Sequence, residues 1–273
     1  MTSESRPYNL GDLLFLMARL RDPSRGCPWD IKQTYETITA STLEEAYEVV
    51  DAIDRQDYPH LKEELGDLLF QAIFYSQIAT EQNLFSFADV IDTLVAKLIR
   101  RHPHVFPDGD LYADPDTSAL NEEAVKLKWE AIKSEERKEK GKVGLLADVP
   151  VGLPALTRAV KLQKRVAQVG FDWPSIEGVW EKVQEEFLEL QGAIDVGEKS
   201  CIEAELGDVL FTCVNLARHL KIDPEGALRR ANNKFVQRFE HMEANLEQSA
   251  AQIQDLDLGE LDRLWRQAKD AGQ

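Results

Sequence analysis

Leu65-Gly-Asp-Leu-Leu-Phe70 decides the fold, because it returns as Leu206-Gly-Asp-Val-Leu-Phe211 with a single change. A second motif also occurs twice, and its two copies are separated by the same number of residues as positions 65 and 206. This offset places Glu44-Glu-Ala-Tyr-Glu48 on Glu185-Glu-Phe-Leu-Glu189 without a gap. Two matches at one offset indicate an internal repeat, which is typical of a duplicated structural unit.

Further residues recur in the same order in both halves, after a slip of four positions. A lysine and an arginine one helical turn apart are followed, at nearly the same distance in the two halves, by a tryptophan. The matched residues are Lys97, Arg101 and Trp129 in the first half and Lys234, Arg238 and Trp265 in the second. This ordered set predicts a tandem duplication of one module.

Apolar residues recur at spacings of three and four along most of the chain, which indicates amphipathic helices. One such stripe consists of Leu61, Leu65, Leu68, Leu69, Ala72 and Ile73. Alternating strand patterns are scarce. We therefore predict an all-α fold of two tandem duplicated helical modules.

Two segments interrupt the helical pattern. Residues 103–118 contain three prolines and a glycine and predict a loop. A charge run at 133–142 indicates a solvated helix end, and it leads into glycines and prolines at 144–154, which predict a linker. We therefore expect an N-terminal module at residues 1–145 and a C-terminal module at 146–273.

The composition, 43% apolar and 30% charged, is that of a soluble globular protein. A net charge of −17 repels phosphate backbones and anionic lipids, so we expect neither nucleic acid nor a membrane as a partner. We also expect no membrane span and no secretory signal, because no apolar run is long enough. Three cysteines without a CxxC motif fit the cytoplasm.

Each module carries four carboxylates in two pairs, and the members of a pair are three positions apart. They are Glu45, Glu48, Glu64 and Asp67 in the first module and Glu186, Glu189, Glu205 and Asp208 in the second. The separation between the pairs is identical in the two modules. It leaves room for most of a helix, a turn at Asp57-Tyr-Pro59 or Val196-Gly197, and the start of an antiparallel partner. Four carboxylates would then converge, which is unfavourable without a cation, and all-oxygen ligands favour Mg²⁺ or Mn²⁺.

Acidic pairs at this spacing are also common on solvated helix surfaces, where they bind nothing. The position of these pairs favours a metal site, because Glu45 and Glu64 each border the apolar arc of their helix at about 100° per residue. His102 and His104 have no partner cluster in the sequence. We therefore expect a structural role for these two histidines.

Lys234 and Arg238 lie one helical turn apart, so both cations face the same way and could hold phosphate groups. Trp265 could stack on a nucleobase or could anchor an amphipathic helix to the bundle. An ordinary exposed basic pair is the alternative for the first two residues. Together with the carboxylates, these residues suggest a nucleoside polyphosphate as ligand.

The sequence resembles the MazG family of nucleoside triphosphate pyrophosphohydrolases, in its long two-module form, over nearly its whole length. The resemblance rests on motifs beyond the acidic pairs. They are Gly26-Cys-Pro-Trp-Asp30, Thr42-Leu-Glu-Glu-Ala-Tyr-Glu-Val49, Arg100-Arg-His-Pro-His-Val-Phe106, Leu153-Pro-Ala-Leu-Thr-Arg-Ala159, Val169-Gly-Phe-Asp-Trp173, Asn215-Leu-Ala-Arg-His219 and Ala231-Asn-Asn-Lys-Phe235.

The resemblance implies that the acidic pairs bind Mg²⁺ and that two chains pair to complete four-helix bundles. It also implies nucleotide contacts for Lys182, Lys234, Arg238 and Trp265. Long members can carry a lysine four positions before the first acid of the second pair. Here Cys201 holds that position and Lys199 lies two positions earlier, so Lys199 is the candidate substitute.

The expected reaction is hydrolysis of a nucleoside triphosphate to the monophosphate and pyrophosphate, with Glu185 or Glu189 as general base. By the offset of the repeat, Lys182 and Lys199 correspond to Ser41 and Tyr58, so we expect the C-terminal module to be the main catalyst. One alternative is a non-enzymatic nucleotide-binding regulatory module. The other is a narrower pyrophosphatase for dUTP or phosphoribosyl-ATP.

Overall fold

The computed structural model describes residues 6–114, 122–139, 144–247 and 253–271. Within these ranges the chain forms eleven α-helices, two short 3₁₀ turns and no β-strand, so the all-α prediction is confirmed there. The helices are α1 (Leu10–Leu20), α2 (Pro28–Lys32), α3 (Thr39–Asp54), α4 (Tyr58–Glu81), α5 (Phe87–Arg101), α6 (Glu122–Glu139), α7 (Ala155–Ala167), α8 (Ile176–Val196), α9 (Lys199–His219), α10 (Pro224–Glu247) and α11 (Leu258–Asp270).

Contacts divide the chain into two compact units, Met1–Ser134 and Glu135–Gln273. The division falls inside α6, whereas the sequence predicts a boundary after residue 145. Helix α6 contains most of the predicted charge run, and the rest of that run, residues 140–142, lies outside the described residues. The boundary at residue 145 therefore stays a prediction.

The N-terminal unit is built around a hairpin of α3 and α4. Asp57 begins α4, because its side chain accepts a hydrogen bond from the backbone N–H of His60 and Pro59 follows in the first turn. With only a short turn between them, α3 and α4 pack antiparallel. The inner face of α4 joins a core made of Met17, Ile38, Ile73, Phe74 and Ile78.

The C-terminal unit contains the corresponding hairpin of α8 and α9. Gly197 ends α8 with φ of 82°, a left-handed conformation that glycine adopts without a steric penalty. The predicted turn at Val196 and Gly197 is thus confirmed. Helix α7 packs on α9, where the Gln163 amide donates a hydrogen bond of 2.8 Å to the carbonyl of Phe211.

Helices α10 and α11 form a second layer of the C-terminal unit. Asp257 begins α11 with a reciprocal pair of hydrogen bonds to Glu260. The two helices share a small core of Met242, Leu246, Leu264 and Ala268. This core fixes the side of α11 that carries Trp265.

The 103–118 segment lies outside the α-helices as far as residue 114, and it holds one 3₁₀ turn at Pro107–Gly109. Residues 115–118 of this predicted loop lie outside the described residues. Among the helices that the structure describes, none has the length and apolar character needed to cross a bilayer.

Candidate metal and nucleotide site

The α3–α4 hairpin brings three of the four predicted carboxylates of the N-terminal unit together. One oxygen from each of Glu45, Glu48 and Glu64 lies within 4.8 Å of the other two. We call these three residues the N-terminal acid cluster. Asp67 lies outside this closest group, but its charge helps to raise the pKa of Glu45, so it lies at the edge of the cluster.

The α8–α9 hairpin makes the matching arrangement in the C-terminal unit. Here one oxygen from each of Glu186, Glu205 and Asp208 lies within 4.8 Å of the other two, and these three residues form the C-terminal acid cluster. Glu189 lies outside the closest group. Each hairpin therefore assembles three of its four predicted ligands, and a different one stays at the edge.

Burial and mutual repulsion of carboxylates mark the N-terminal acid cluster as a site for a cation. Burial raises the pKa of Glu45, and the charges of Asp67, Glu48 and Glu64 raise it further. Burial also raises the pKa of Glu64, as does the charge of Glu48. Carboxylates held this close without a cation destabilise one another, and a hard divalent cation removes the conflict. The donor set, three carboxylate oxygens in each cluster, fits Mg²⁺ or Mn²⁺.

Each cluster has one deeply buried carboxylate with a basic partner one turn earlier on the same helix. Glu64 is 8% exposed, and its Oε1 lies 2.8 Å from Nε2 of His60. Glu186 is 6% exposed, and its Oε1 lies 2.9 Å from Nζ of Lys182. The sequence motifs do not single out His60 as a site residue, although its position four before Glu64 places it on the same side of α4.

Lys182 also lies 2.9 Å from Oε1 of Glu185, so it bridges two neighbouring glutamates. These two bonds raise the pKa of Lys182 far above its usual value, and the ammonium stays charged. Glu189 follows one turn later on α8. Burial raises its pKa, the charge of Lys182 opposes that rise, and the charges of Glu186, Glu185 and Glu205 add to it.

Lys199 and Cys201 occupy the first turn of α9, and both are exposed. At about 100° per residue, Cys201 lies close to the direction of Glu205, whereas Lys199 lies roughly 120° away around the helix. Lys199 therefore begins the helix on a different side from the C-terminal acid cluster. Its role in binding substrate stays a prediction.

Arg238 and Trp265 meet where α11 packs on α10, and Lys234 lies one turn before Arg238 on α10. The guanidinium carbon of Arg238 lies 5.6 Å from the centre of the Trp265 ring, and the Phe235 ring lies 5.1 Å from it. Trp265 is half-buried against the α10–α11 core, while Lys234 is exposed. The anchoring role considered for Trp265 is thus present, and nucleobase stacking stays a prediction.

A partly buried ion pair, which the sequence did not predict, holds the loop before α8 against the end of α9. Arg218 donates hydrogen bonds to both carboxylate oxygens of Asp172, and His219 contacts the same carboxylate at 3.0 Å. Both motifs stand in the sequence, at residues 169–173 and 215–219, but nothing in their pattern indicates that they touch. In the N-terminal unit, Arg21 similarly binds Glu81 and the backbone carbonyl of Asp30.

His102 and His104 lie beside each other, with ring centres 5.8 Å apart. Nδ1 of His102 lies 2.7 Å from the carbonyl oxygen of Leu98, one turn earlier. Among the residues that the structure describes, neither histidine belongs to a group that could hold a metal ion.

Comparison with known proteins agrees with this duplicated geometry. A family model, the MazG nucleotide pyrophosphohydrolase domain, matches residues 33–106 and 175–243, together more than half of the chain. Each matched segment contains one complete acidic hairpin.

Individual relatives cover nearly the full length. A nucleoside triphosphate pyrophosphohydrolase of Escherichia coli (strain K12) is 47% identical over 261 residues, 94% of this chain and 95% of its own. The nucleoside triphosphate pyrophosphohydrolase/pyrophosphatase MazG of Thermotoga maritima is 44% identical over 258 residues, 94% of each chain. A crystal structure of a MazG-related protein from Thermotoga maritima aligns at 26% identity and a TM-score of 0.38, covering 46% of this chain and 99% of that one.

Proposed function

The chain belongs to the MazG nucleotide pyrophosphohydrolase family and carries two copies of its domain, and we propose its function from that premise. It is a nucleoside triphosphate pyrophosphohydrolase, which converts a ribo- or deoxyribonucleoside triphosphate and water to the monophosphate and pyrophosphate. The observation that carries this function is the convergence of three carboxylates, twice, in equivalent hairpins. Nucleotide-pool housekeeping is the physiological purpose that we propose.

In the C-terminal unit, Glu186, Glu205 and Asp208 would hold Mg²⁺ or Mn²⁺, with Glu189 at the edge. The cation, when bound, neutralises charge on the phosphates and makes an attacking water more acidic. Glu45, Glu48, Glu64 and Asp67 are the corresponding residues of the N-terminal unit. The oxygen-only donor sets and the raised carboxylate pKa values support this assignment.

Glu189 is the better candidate for the general base. It lies outside the closest ligand group, and its raised pKa brings it nearer to neutral pH, where a base works best. Glu185, the other candidate, is paired with Lys182. In this step the water oxygen bonds to the α-phosphorus, the water proton passes to Glu189, and the bond from the α-phosphorus to the oxygen that bridges to the β-phosphate breaks, so that pyrophosphate leaves.

Cationic residues would hold the polyphosphate. Lys234 and Arg238 share one side of α10, and Lys182 lies at the C-terminal acid cluster. Lys199 is the fourth candidate, and Trp265 would stack on the base. Because Lys182 and Lys199 have no basic counterpart at positions 41 and 58, we propose that the C-terminal unit is the main catalyst.

The chain would work as a homodimer in which two copies complete the four-helix bundles. Large apolar side chains exposed on the hairpins support this, among them Leu65, Leu69, Phe187, Leu206 and Leu210. A cytoplasmic location fits the three free cysteines and the supply of nucleoside triphosphates.

The proposal is tested by identifying the products that the protein releases from a nucleoside triphosphate. Purified protein with dATP and Mg²⁺ is expected to release dAMP and pyrophosphate in equal amounts, and chelation of the cation should stop it. Release of orthophosphate alone would contradict the proposal. Tight nucleotide binding without turnover would indicate a regulatory module, and turnover restricted to dUTP or phosphoribosyl-ATP in a substrate panel would indicate a narrower enzyme.

A further inference from the structure

We propose that the two acid clusters take up their cations in different ways: the N-terminal cluster binds a divalent cation by itself, whereas the C-terminal cluster binds one well only together with a nucleotide. This inference rests on the proposed function, in which both clusters bind a divalent cation. It concerns the step before catalysis.

Lys182 supplies the first part of the argument. Its ammonium nitrogen lies 2.9 Å from Oε1 of Glu186, a member of the C-terminal acid cluster, and 2.9 Å from Oε1 of Glu185. An ammonium held by two carboxylates already compensates their charge, and a divalent cation entering the same site must displace or repel it. Without nucleotide, Lys182 therefore competes with the cation.

The N-terminal unit has no equivalent competitor among its described residues. Position 41 corresponds to Lys182 by the repeat, lies four before Glu45 as Lys182 lies before Glu186, and is a serine. In the described part of the chain, His60 is the one basic group within ion-pair distance of the N-terminal acid cluster, and it contacts only Glu64.

Gln71 is a buried polar residue on the side of α4 that carries the N-terminal acid cluster. It lies seven positions after Glu64 and four after Asp67, so it shares their side of α4. It is 7% exposed, and its buried Oε1 has no hydrogen-bond partner. An unpaired buried carbonyl oxygen is costly, and a water molecule on a cation would satisfy it. The repeat places Thr212 at this position in the C-terminal unit.

The difference between Lys182 and Ser41 implies an order in which the two clusters bind their cations. The N-terminal cluster is filled whenever free cation is present. In the C-terminal unit, a nucleotide arrives with its own cation, the cation takes the carboxylates, and Lys182 is released to face the polyphosphate. Lys182 thus makes cation binding at the catalytic unit depend on substrate.

Titration of the full-length protein with Mn²⁺ in the absence of nucleotide tests this. Free Mn²⁺ is followed by its electron paramagnetic resonance signal. We expect one tight site per chain and a second site weaker by on the order of tenfold, the scale of a competing charge pair. Glu48→Gln should remove the tight site, and Glu205→Gln should remove the weaker one.

Reciprocal exchange of the matched positions gives the sharper test. Lys182→Ser should tighten the weaker site by on the order of tenfold, and Ser41→Lys should weaken the tight one to a similar degree. Lys161→Ser, which replaces an exposed lysine on α7, is the matched control and should change neither site. Circular dichroism and thermal melting establish that each variant folds, and Lys182→Ser decides the question even if Ser41→Lys does not fold.

Three results would overturn the inference. The unmodified protein could show two equal sites, Glu205→Gln could remove the tight site, or Lys182→Ser could leave both sites unchanged. Pyrophosphate release can still be intact in all three cases. Failure of the proposed function is different: there, Mn²⁺ with dATP yields no pyrophosphate, whatever the titration shows.

Discussion

Glu64 and Glu186 are the most buried carboxylates of their clusters, yet they occupy opposite members of the duplicated hairpin. Glu64 lies on the second helix of its hairpin and corresponds by the repeat to Glu205, whereas Glu186 lies on the first helix and corresponds to Glu45. Each is held by a basic residue one turn earlier on its own helix. The two copies therefore form similar clusters, but the buried, paired carboxylate lies on the second helix of the hairpin in one copy and on the first helix in the other.

This asymmetry predicts unequal losses of activity. Glu186→Gln removes a buried ligand of the unit that carries Lys182, and we expect pyrophosphate release to fall by about 100-fold or more. Glu45→Gln, the matched change in the N-terminal unit, should cause a much smaller loss. The measurement is kcat for dATP hydrolysis at saturating Mg²⁺. A larger loss from Glu45→Gln would place the main catalyst in the N-terminal unit.

Much of this arrangement could be predicted from the sequence, because it depends on local periodicity. The spacing of three within each pair, and a separation between pairs that fits one helix and a turn, are enough to place Glu45 beside Glu64 and Glu186 beside Glu205. The predicted turn at Val196 and Gly197 is present, whereas the turn predicted at Asp57-Tyr-Pro59 ends earlier, because Asp57 caps α4 and Tyr58 and Pro59 already lie in its first turn. The duplication then supplied the second copy.

Contacts between distant segments could not be predicted in the same way. Nothing in the sequence indicates that Asp172 meets Arg218, since the two lie 46 residues apart and their contact depends on how α8 and α9 pack. The choice of which carboxylate stays at the edge, Asp67 or Glu189, depends on side-chain directions that periodicity does not resolve. The half-burial of Trp265 depends on the packing of α11 on α10.

Cation binding should reverse the effect of one variant on stability. In a chelating buffer near neutral pH, Glu45→Gln should raise Tm, because it removes a charge whose burial, together with repulsion from neighbouring carboxylates, raises the pKa of Glu45. With Mg²⁺ at about 100 times Kd, the unmodified protein should gain about 2.7 kcal/mol, roughly 5–10 °C, and the variant less. Calorimetry in both buffers measures the crossover. Equal responses to Mg²⁺ would show that Glu45 is not a ligand.

The Asp172–Arg218 pair predicts a dependence of stability on pH. Hydrogen bonds from Arg218 hold the pKa of Asp172 below its usual value, with His219 contributing further. A carboxylate whose pKa is lower in the folded state stabilises the fold above its unfolded pKa, and this contribution is lost as pH falls through the folded pKa. Asp172→Asn should therefore lower the free energy of unfolding by about 2 kcal/mol at pH 7.

The difference between this variant and the unmodified protein should shrink as pH falls below the usual pKa of an aspartate, and it should vanish once pH is below the lowered pKa of Asp172 in the folded state. Urea unfolding at a series of pH values measures it. Asp262→Asn is the control, because it breaks an exposed ion pair with Arg266 and should cost no more than about 0.5 kcal/mol. A pH-independent difference for Asp172→Asn would contradict the assignment.

The geometry at the start of α9 predicts that a lysine at position 201 would bind the triphosphate better than the lysine at position 199. Cys201 lies one turn before Glu205, whereas Lys199 points elsewhere around the helix. Cys201→Lys should lower KM for dATP by about threefold to tenfold through a new phosphate contact, with little change in kcat. Lys199→Ala should raise KM if its flexible chain reaches the phosphates. If both variants leave KM unchanged, the triphosphate does not pass the start of α9.

Trp265 has two candidate roles, anchoring α11 and stacking on the nucleobase, and they predict different effects of substitution. As an anchor on Phe235, it stabilises the C-terminal unit, so Trp265→Leu should lower the free energy of unfolding by about 1–3 kcal/mol. As a stacking platform, it also binds the base, so the same variant should raise KM for dATP severalfold while Trp265→Phe restores most of the affinity. Inorganic tripolyphosphate, which has no base, should inhibit both variants and the unmodified protein equally. If Trp265→Leu loses stability but keeps its KM for dATP, the ring only anchors α11, and the base is held elsewhere.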